Sequence, residues 1–327
     1  MMKTNPQTPN NIFVLGNGES RHGYNLEQFR QWGKIYGCNA LYRDFKPDGL
    51  ISTDWAMMHE IYSSGYCSDN KCYFRQWKLL PEQFFEMLQY TGLEQSSMEQ
   101  LNEQLKSLEL DTVDKFLNQN EKGNKTQLVC HGIDPERFKD AILEILSKFK
   151  GLPKGDVRQK LGNAGLWITW VDENDKVQDL DTFFDGEFMG WSSGPTAVRV
   201  AIEENKDIDN IYMLGFDMPR EGKVNNVYKD TDCYITSDCK YVSPMNWIEQ
   251  HENNFKKYPD KKFYRVMDDS SEIPEWSDYN NVKTITYGNM WGRLVLSLIH
   301  ISEPTRQAKI SYAVFGLKKK RGGGGGG

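Results

Sequence analysis

Short loops of glycine and small polar residues follow several apolar runs in this chain. The first loop is Gly16-Asn17-Gly18-Glu19-Ser20-Arg21, directly after the run from Asn11 to Leu15. Its glycines let the backbone approach a ligand closely, and a helix start after the loop favours a phosphate. Arg21 replaces the third glycine of the dinucleotide motif G-x-G-x-x-G, and the Lys-Ser/Thr of a P-loop is absent. The loop therefore predicts a nucleotide-contacting turn, with a plain strand-to-helix turn as the alternative.

Four further loops carry side chains that could bind the same ligand. Asn39 both donates and accepts hydrogen bonds, which suits a base edge or a ribose. Asp54 follows the third apolar run, Ser193-Gly194 opens a helical segment, and Asp217 ends a later run. Hydroxyl and carboxylate groups at these places also serve as helix or loop caps, so that alternative stays open for Ser193 and Asp217.

The elements that must position these loops alternate between strand and helix. Apolar runs at residues 11–15, 34–38, 49–52, 210–214 and 262–266 have the length of buried parallel strands, and helical segments separate them. This alternation predicts an α/β fold with a doubly wound, mostly parallel Rossmann-type sheet. Ligands of such sheets bind at the carboxyl ends of the strands, where the loops lie.

The predicted sheet is interrupted by a segment of different character. Residues 81–150 are amphipathic with helical spacing, and a further apolar run at 166–171 marks the return of the sheet. We therefore expect a nucleotide-binding core from residues 1–75 and 166–295, with a mainly helical insertion at 76–165. The insertion would form either a lid or a packed accessory layer.

Composition restricts the possible partners and compartment. The chain has a net charge of −6, and its last 32 residues carry six Lys or Arg and one Glu, so residues 1–295 have a charge of −11. So acidic a chain argues against a nucleic-acid partner. No run of 18 apolar residues predicts a membrane span, and no export signal is visible. Six scattered cysteines suit a reducing compartment, which predicts a cytoplasmic protein.

Metal binding receives little support from the sequence. Cys67 and Cys72 have four residues between them, and Cys233 and Cys239 have five; neither spacing is typical of a zinc site. Asp230-Thr231-Asp232 spells the D-x-D of many metal-dependent glycosyltransferases, but such a triplet arises easily in an Asp-rich chain. We therefore expect no resident metal or other cofactor.

Taken in order, the loops resemble two related groups of proteins. The series G-N-G-x-S, C-N, P-D-x-x-x-S-x-D, S-G-x-x-A-x-x-x-A and I-Y-x-L-G-x-D covers about residues 11–66 and 190–267. It is similar to the bacterial lipooligosaccharide sialyltransferases, which transfer a sugar from a CMP donor without a metal. It is also similar to the Rossmann-like family of flagellin-modification proteins and archaeal hydroxymethylpterin pyrophosphokinases. By position, the resemblance implies nucleotide contacts at Asn17, Asn39, Ser193-Gly194 and Asp217.

The chain departs from the sialyltransferases at two places. Glu19 stands where they usually have proline, and their acceptor base, a histidine downstream of the Gly-x-Asp strand, has no counterpart between Asp217 and Met245. His251 comes later, inside a predicted helix. A carboxylate can replace the histidine as base, so Asp230 or Asp232 is the predicted catalytic residue, and Arg21 is expected to stabilise the leaving phosphate.

Three functions follow, each with a distinct requirement. The first is transfer of a sugar from a nucleotide-activated donor, preferably a CMP sugar, to a glycan or another hydroxyl acceptor. The second is a pyrophosphokinase-like phosphotransfer, which needs Mg²⁺. The third is non-catalytic binding of a nucleotide or glycan, with a viral origin among the possibilities.

The final residues have the character of translated sequencing adapter. Lys318-Lys319-Lys320-Arg321 and six glycines correspond to a run of A followed by a run of G in one reading frame. Leu296 to Arg306 resembles a transposase-type library adapter, and Ile310 to Leu317 resembles the primer that follows it. The segment 296–327 is therefore expected to be non-native, and its presence is typical of a metagenomic assembly.

Deleting residues 296–327 should leave both the melting temperature and ligand binding unchanged, because unselected sequence has no reason to pack against the core. Thermal unfolding of the full chain and of residues 1–295 measures this. A clear fall in melting temperature on deletion, or the same tail in an independently sequenced gene copy, would contradict the expectation.

Overall fold

Eight parallel strands form the central sheet of the computed structural model, which describes residues 10–79, 127–131, 156–161, 164–187, 190, 192–240, 242–269 and 271–302. The sheet order is β12-β11-β10-β1-β2-β3-β4-β9, and every neighbouring pair is parallel. Its strands are β1 Asn11–Leu15, β2 Lys34–Cys38, β3 Gly49–Ser52, β4 Cys72–Phe74, β9 Val177–Asp179, β10 Asn210–Leu214, β11 Lys262–Met267 and β12 Val282–Thr286.

The sheet is doubly wound, as the alternation of strands and helices predicts. From β1 the chain moves outward through β2, β3 and β4, whereas β10, β11 and β12 extend from the other side of β1. The described helices are α1 Trp55–Ser63, α2 Leu180–Phe183, α3 Ser193–Glu203, α4 Met245–Lys257 and α5 Tyr287–Ser302. Short 3₁₀ helices at Glu19–Arg21, Leu26–Gln31 and Asn39–Arg43 follow the first two strands.

Both faces of the sheet are buried, which explains why its strands are continuous apolar runs. Along β1, Phe13 and Leu15 belong to one core layer, and Ile12 and Val14 belong to the layer that packs against α3. All five residues of β1 are buried. The strand at the centre of the sheet is thus held on both sides by helices and loops, and its carboxyl end cannot move independently of the core.

A second sheet contains the strand at residues 164–171, which the sequence analysis assigns to the main parallel sheet. The strands β5 Lys78–Leu79, β6 Gln127–His131, β7 Asp156–Leu161 and β8 Ala164–Val171 form an antiparallel sheet in the order β5-β6-β8-β7. The run at 166–171 was expected to continue the parallel sheet, but it pairs with β6 and β7. An apolar run indicates a strand without naming its partner, and β7, its neighbour in sequence, pairs with it at low loop-closure cost. The unpredicted β9 occupies the sheet edge beside β4 instead.

The predicted helical insertion is only partly within the described residues. Its predicted helices, at residues 81–150, lie mostly outside the described residues, whereas 127–131 and 156–161 are strands. The domain boundaries therefore remain predictions. Within the described part of the chain, no helix has the length and apolar character needed to cross a membrane.

The loops after β1 and β10 are packed backbone to backbone. The Gly16 amide donates to the Leu214 carbonyl at 2.8 Å, and the Gly18 amide donates to the Gly215 carbonyl at 2.9 Å. A Cβ atom on Gly16 would lie 2.4 Å from the Gly215 carbonyl oxygen, closer than any real contact. Gly215 itself has a φ of +73°, which disfavours any other residue there.

Gly16→Ala should lower the free energy of unfolding by about 1–3 kcal/mol, because the new methyl group must separate the two loops. Gly292→Ala is the matched control: Gly292 lies exposed in α5 with open space at its Cβ position, so alanine should stabilise by about 0.5–1 kcal/mol. Urea unfolding of both variants measures these changes, which should have opposite signs in the free energy of unfolding. Equal effects at the two positions would show that the loop contact is not the constraint described.

Candidate functional site

A cavity of 370 Å³ opens where the direction of the sheet reverses, between the carboxyl ends of β1 and β10. In open α/β sheets this crevice is the usual ligand position. Loops from four strands and the start of α3 contribute to its wall. The wall includes Gly16, Asn17, Gly18, Asn39, Asp54, Ser192, Ser193, Gly194, Phe216, Asp217, Met218, Tyr234, Ile235, Val242, Trp247 and His251.

The cavity has a polar side and an apolar side. Asparagine, serine and aspartate from the β1, β2 and β3 loops and the α3 start form the polar side, whereas Phe216, Met218 and Trp247 contribute apolar surface. Ile235 and Val242 stand in the same wall and are 42% and 49% exposed. A ligand with one flat or apolar part and one hydrogen-bonding part matches this division.

Asn17 is held by its amide nitrogen and leaves its oxygen without a partner. Nδ2 donates to the Cys38 carbonyl at 3.4 Å and to the Tyr234 hydroxyl at 2.9 Å. Since the Cys38 carbonyl can only accept, the amide cannot be turned round without losing that bond. The buried Oδ1 therefore has no hydrogen-bond partner among the described residues. A buried acceptor of this kind is costly unless something satisfies it.

The Tyr234 hydroxyl is oriented by two donors. It accepts from Asn17 Nδ2 and, at 3.4 Å, from the Ala40 amide. Both of its oxygen lone pairs are thus used, and the remaining hydroxyl proton is available to an acceptor in the cavity. Burial raises the pKa of Tyr234 well above its usual value, so the hydroxyl remains a donor at neutral pH.

Asn39 and Asp54 form a second polar cluster beside the first. Asn39 has a φ of 53°, its Oδ1 accepts from the Ser52 hydroxyl at 3.1 Å, and its Nδ2 donates to Asp54 Oδ2 at 3.2 Å. Asp54 is exposed overall. Neighbouring protein atoms nevertheless exclude part of the water around its carboxyl group, and this desolvation raises the pKa of Asp54. The predicted residues are thus together at the cavity, with Asn39 already oriented by its neighbours.

Two serines, Ser192 and Ser193, lie at the start of α3, and the predicted site residue Ser193 already has its hydroxyl bonded to Thr53. Ser193 Oγ lies 3.0 Å from the Thr53 amide and 2.9 Å from the Thr53 hydroxyl, and it joins the β3 loop to α3. Ser192 is the residue that begins the helix, and its hydroxyl makes no capping bond. The first amides of the helix have no partner within the helix, so Ser193 and Gly194 can contribute backbone donors rather than side-chain ones.

Asp217 lines the cavity but its carboxylate is bound to the first loop. Ser20 donates to it twice, through its amide at 2.8 Å and through its hydroxyl. Arg265, which is 2% exposed, donates to the carbonyls of Phe216, Asp217 and Ser271, each at 2.7 Å. Ser20 and Asp217 therefore hold the β1 and β10 loops together. Ser20, which was predicted to contact the nucleotide, is not part of the cavity wall.

Arg21, predicted to stabilise a leaving phosphate, is not part of the cavity wall. Its Nε donates to the Gly16 carbonyl at 2.7 Å and its Nη2 to the Tyr228 hydroxyl at 3.0 Å. The side chain is 5% exposed and faces the opposite side of the loop. A buried guanidinium binds carbonyl oxygens strongly. Arg21 therefore stabilises the conformation of the loop after β1.

The two aspartates predicted as bases also lie outside the cavity wall. Asp230 Oδ1 accepts from the Ser237 amide at 2.7 Å, and this bond lowers the pKa of Asp230. Asp232 is exposed, and its carbonyl accepts from Arg43 at 3.0 Å. A local turn bond thus holds the Asp230 carboxylate, whereas the backbone at Asp232 is held by Arg43, a residue far along the chain. The D-x-D triplet is a solvent-facing loop.

His251 is the residue of the site that the sequence argument set aside. It lies in α4, is 0% exposed, and belongs to the cavity wall, with the Phe216 ring edge-on at 5.0 Å. Neither ring nitrogen has a partner among the described residues. Burial, with a smaller contribution from Arg265, lowers the pKa of His251 to about 3, so the ring is neutral at pH 7. The signal available in the sequence was its place one helical turn after Trp247, another cavity residue.

Within the described part of the chain, no group of three His, Cys, Asp or Glu side chains is arranged to hold a metal ion. The polar atoms at the cavity are instead hydroxyl, amide and carboxylate groups tied to one another.

Acidification should destabilise the fold through His251. The unfolded chain protonates this histidine below about pH 6.5, whereas the folded protein keeps it neutral down to about pH 3. Stability from this residue is complete above pH 6.5 and is lost as the pH falls. Between pH 7 and 5 the loss should be about 2 kcal/mol.

Urea unfolding at pH 7, 6 and 5 measures this loss for the wild type, for His251→Leu and for His22→Asn. The leucine variant should show a correspondingly shallower pH dependence, and the variant of the exposed His22 should follow the wild type. Parallel curves for all three proteins would exclude a buried neutral His251.

Comparison of the chain with protein-family models, with curated proteins and with solved structures finds no match.

Proposed function

We propose that this protein transfers a sugar from a nucleotide-activated donor, preferably a CMP sugar, to a hydroxyl group of a glycan or another acceptor. The observation that supports the proposal is the convergence of separate loops on one cavity at the reversal point of the sheet. The loops after β1, β2, β3 and β10 and the start of α3 all line it. Nucleotides bind at this position in many doubly wound sheets.

The wall suits a donor of low negative charge. Among the described lining residues there are two carboxylates, Asp54 and Asp217, and neither lysine nor arginine. A phosphate would therefore be held by neutral donors: the amides at the start of α3 and the hydroxyls of Ser192 and Tyr234. A single phosphate diester fits such a set better than a diphosphate or triphosphate. The flat base would lie towards Phe216 and Trp247, where aromatic contact is available.

Sugar transfer requires two events that the wall can support. The acceptor oxygen bonds to the anomeric carbon while the bond from that carbon to the phosphate oxygen breaks, and the electron pair stays on the phosphate. Hydroxyl and amide donors stabilise the developing charge on that phosphate. The acceptor also releases a proton, and His251 has an unpartnered ring nitrogen to receive it.

His251 therefore replaces Asp230 and Asp232 as the proposed base. Its ring is neutral at pH 7 and is screened from solvent by Phe216 and Trp276. A base with so low a pKa takes the proton only once bond formation has made the acceptor hydroxyl acidic. The negative charge of a bound donor would raise its proton affinity further.

Turnover of CMP sugars, including slow hydrolysis to CMP, tests the proposal. His251→Gln should lower kcat by about 10²–10⁴-fold with the donor Kd little changed, because a positioned base contributes that factor. Asp230→Asn is the matched control and should retain wild-type turnover, since Asp230 lies outside the wall. Wild-type kcat/KM should show no acid limb from this histidine between pH 8 and 5.

Three results would contradict parts of the proposal. Full turnover by a folded His251→Gln protein would remove His251 from the mechanism. Nucleotide binding without turnover of any nucleotide sugar would favour a non-catalytic binding protein. Mg²⁺-dependent transfer of phosphate from ATP to a hydroxyl substrate would favour the phosphotransferase alternative.

A further inference from the structure

Two side-chain amide nitrogens of α4 lie within hydrogen-bond distance of the Ser192 hydroxyl, and one of them, Gln250 Nε2, also donates to the carbonyl and to Oδ1 of Asn246. Gln250 Nε2 lies 3.1 Å from Ser192 Oγ, and Asn246 Nδ2 lies 3.5 Å from it. The assignment of the Gln250 amide is set by chemistry: its Oε1 accepts from the Ser192 backbone amide at 3.0 Å, so the other atom must be nitrogen. Neither amide nitrogen can accept a proton from the serine.

The serine proton must therefore point elsewhere. No acceptor for the Ser192 hydroxyl is found among the described residues, and Ser192 lines the cavity at the start of α3. Gln250 is 7% exposed, and its packing is tight: a Cβ atom on Gly190 would come within 2.3 Å of Gln250 Oε1. Gly190 has a φ of +89°, so the backbone here is shaped around the glutamine.

We infer that Gln250 is a positioning residue that turns the Ser192 hydroxyl into a hydrogen-bond donor aimed at an oxyanion of the ligand. The inference rests on the proposed nucleotide site and assigns the place of its phosphate-type group. The start of α3 lies at the same point, and its free amides favour a negative group there. The fully buried, unpartnered His251 in the same wall is independent evidence that the cavity is built to receive a ligand.

Gln250→Glu reverses the direction of this hydroxyl. A carboxylate at position 250 can still accept from the Ser192 amide and loses the two bonds that Gln250 donates to Asn246. It also accepts the serine proton, which then no longer points to the ligand. Affinity for CMP should fall about tenfold or more, the size expected for one bond to a charged group. Affinity for cytidine, which lacks the phosphate, should stay within about twofold on the same grounds.

Charge repulsion by the new glutamate must be separated from the loss of the hydroxyl bond. Ser192→Ala alone should weaken CMP binding similarly, and adding Gln250→Glu to it should have little further effect. Asn253→Asp, on the exposed side of α4, adds the same charge without touching Ser192 and should bind CMP like the wild type.

Calorimetric titration of these four variants and the wild type with CMP, cytidine and orthophosphate decides the matter. An equal loss for cytidine and CMP would show a general structural effect and overturn the inference. An undiminished effect of Gln250→Glu in the Ser192→Ala protein would assign the loss to charge and overturn it as well. Wild-type binding of cytidine but not of CMP or orthophosphate would overturn it while leaving a nucleoside site, whereas wild-type binding of none of the three would overturn the proposed function too.

Discussion

The contact between the β1 and β10 loops is the constraint on which the site depends. Two backbone hydrogen bonds join Gly16 and Gly18 to the end of β10, and no side chain fits between the two loops. Three charged groups fix the arrangement from outside: Arg21 binds the Gly16 carbonyl, Asp217 binds Ser20, and Arg265 binds the carbonyls of Phe216 and Asp217. The two buried arginines, Arg21 and Arg265, are stable here because backbone carbonyls and the Tyr228 hydroxyl accept their hydrogen bonds.

This use of charge explains the character of the cavity. Arg21 and Arg265 bind backbone carbonyls of the loops and do not line the cavity. The polar groups of the described wall are hydroxyls, amides and two carboxylates. Recognition then depends on the direction of each hydrogen bond rather than on net charge. Tyr234 and Ser192 illustrate this, since each is turned towards the cavity by donors behind it. Directional donors discriminate between ligands because a wrong partner leaves a buried group unpaired.

Helix α4 contributes more to the site than its place outside the sheet suggests. Along one of its faces, Trp247 and His251 line the cavity, and Gln250 orients Ser192. Helix α4 packs against α3, so the residues of α4 lie beside the start of α3. The cavity wall is thus formed both by loops at the strand ends and by a helix that is distant in sequence.

The sequence by itself determined the α/β class, the doubly wound sheet and the positions of its loops. Apolar runs and their spacing specify buried parallel strands, and the winding rule brings their carboxyl ends together; Asn17, Asn39, Asp54 and Asp217 accordingly lie at one cavity. Only the tertiary structure decided which way each side chain points. Arg21 is held by the Gly16 carbonyl, Asp230 by the Ser237 amide and Ser193 by Thr53, while Asp232 is exposed outside the cavity wall. His251 depends on partners far along the chain, and the strand at 164–171 pairs with its sequence neighbour β7 and with β6 rather than with the main sheet; an apolar pattern does not specify such partners.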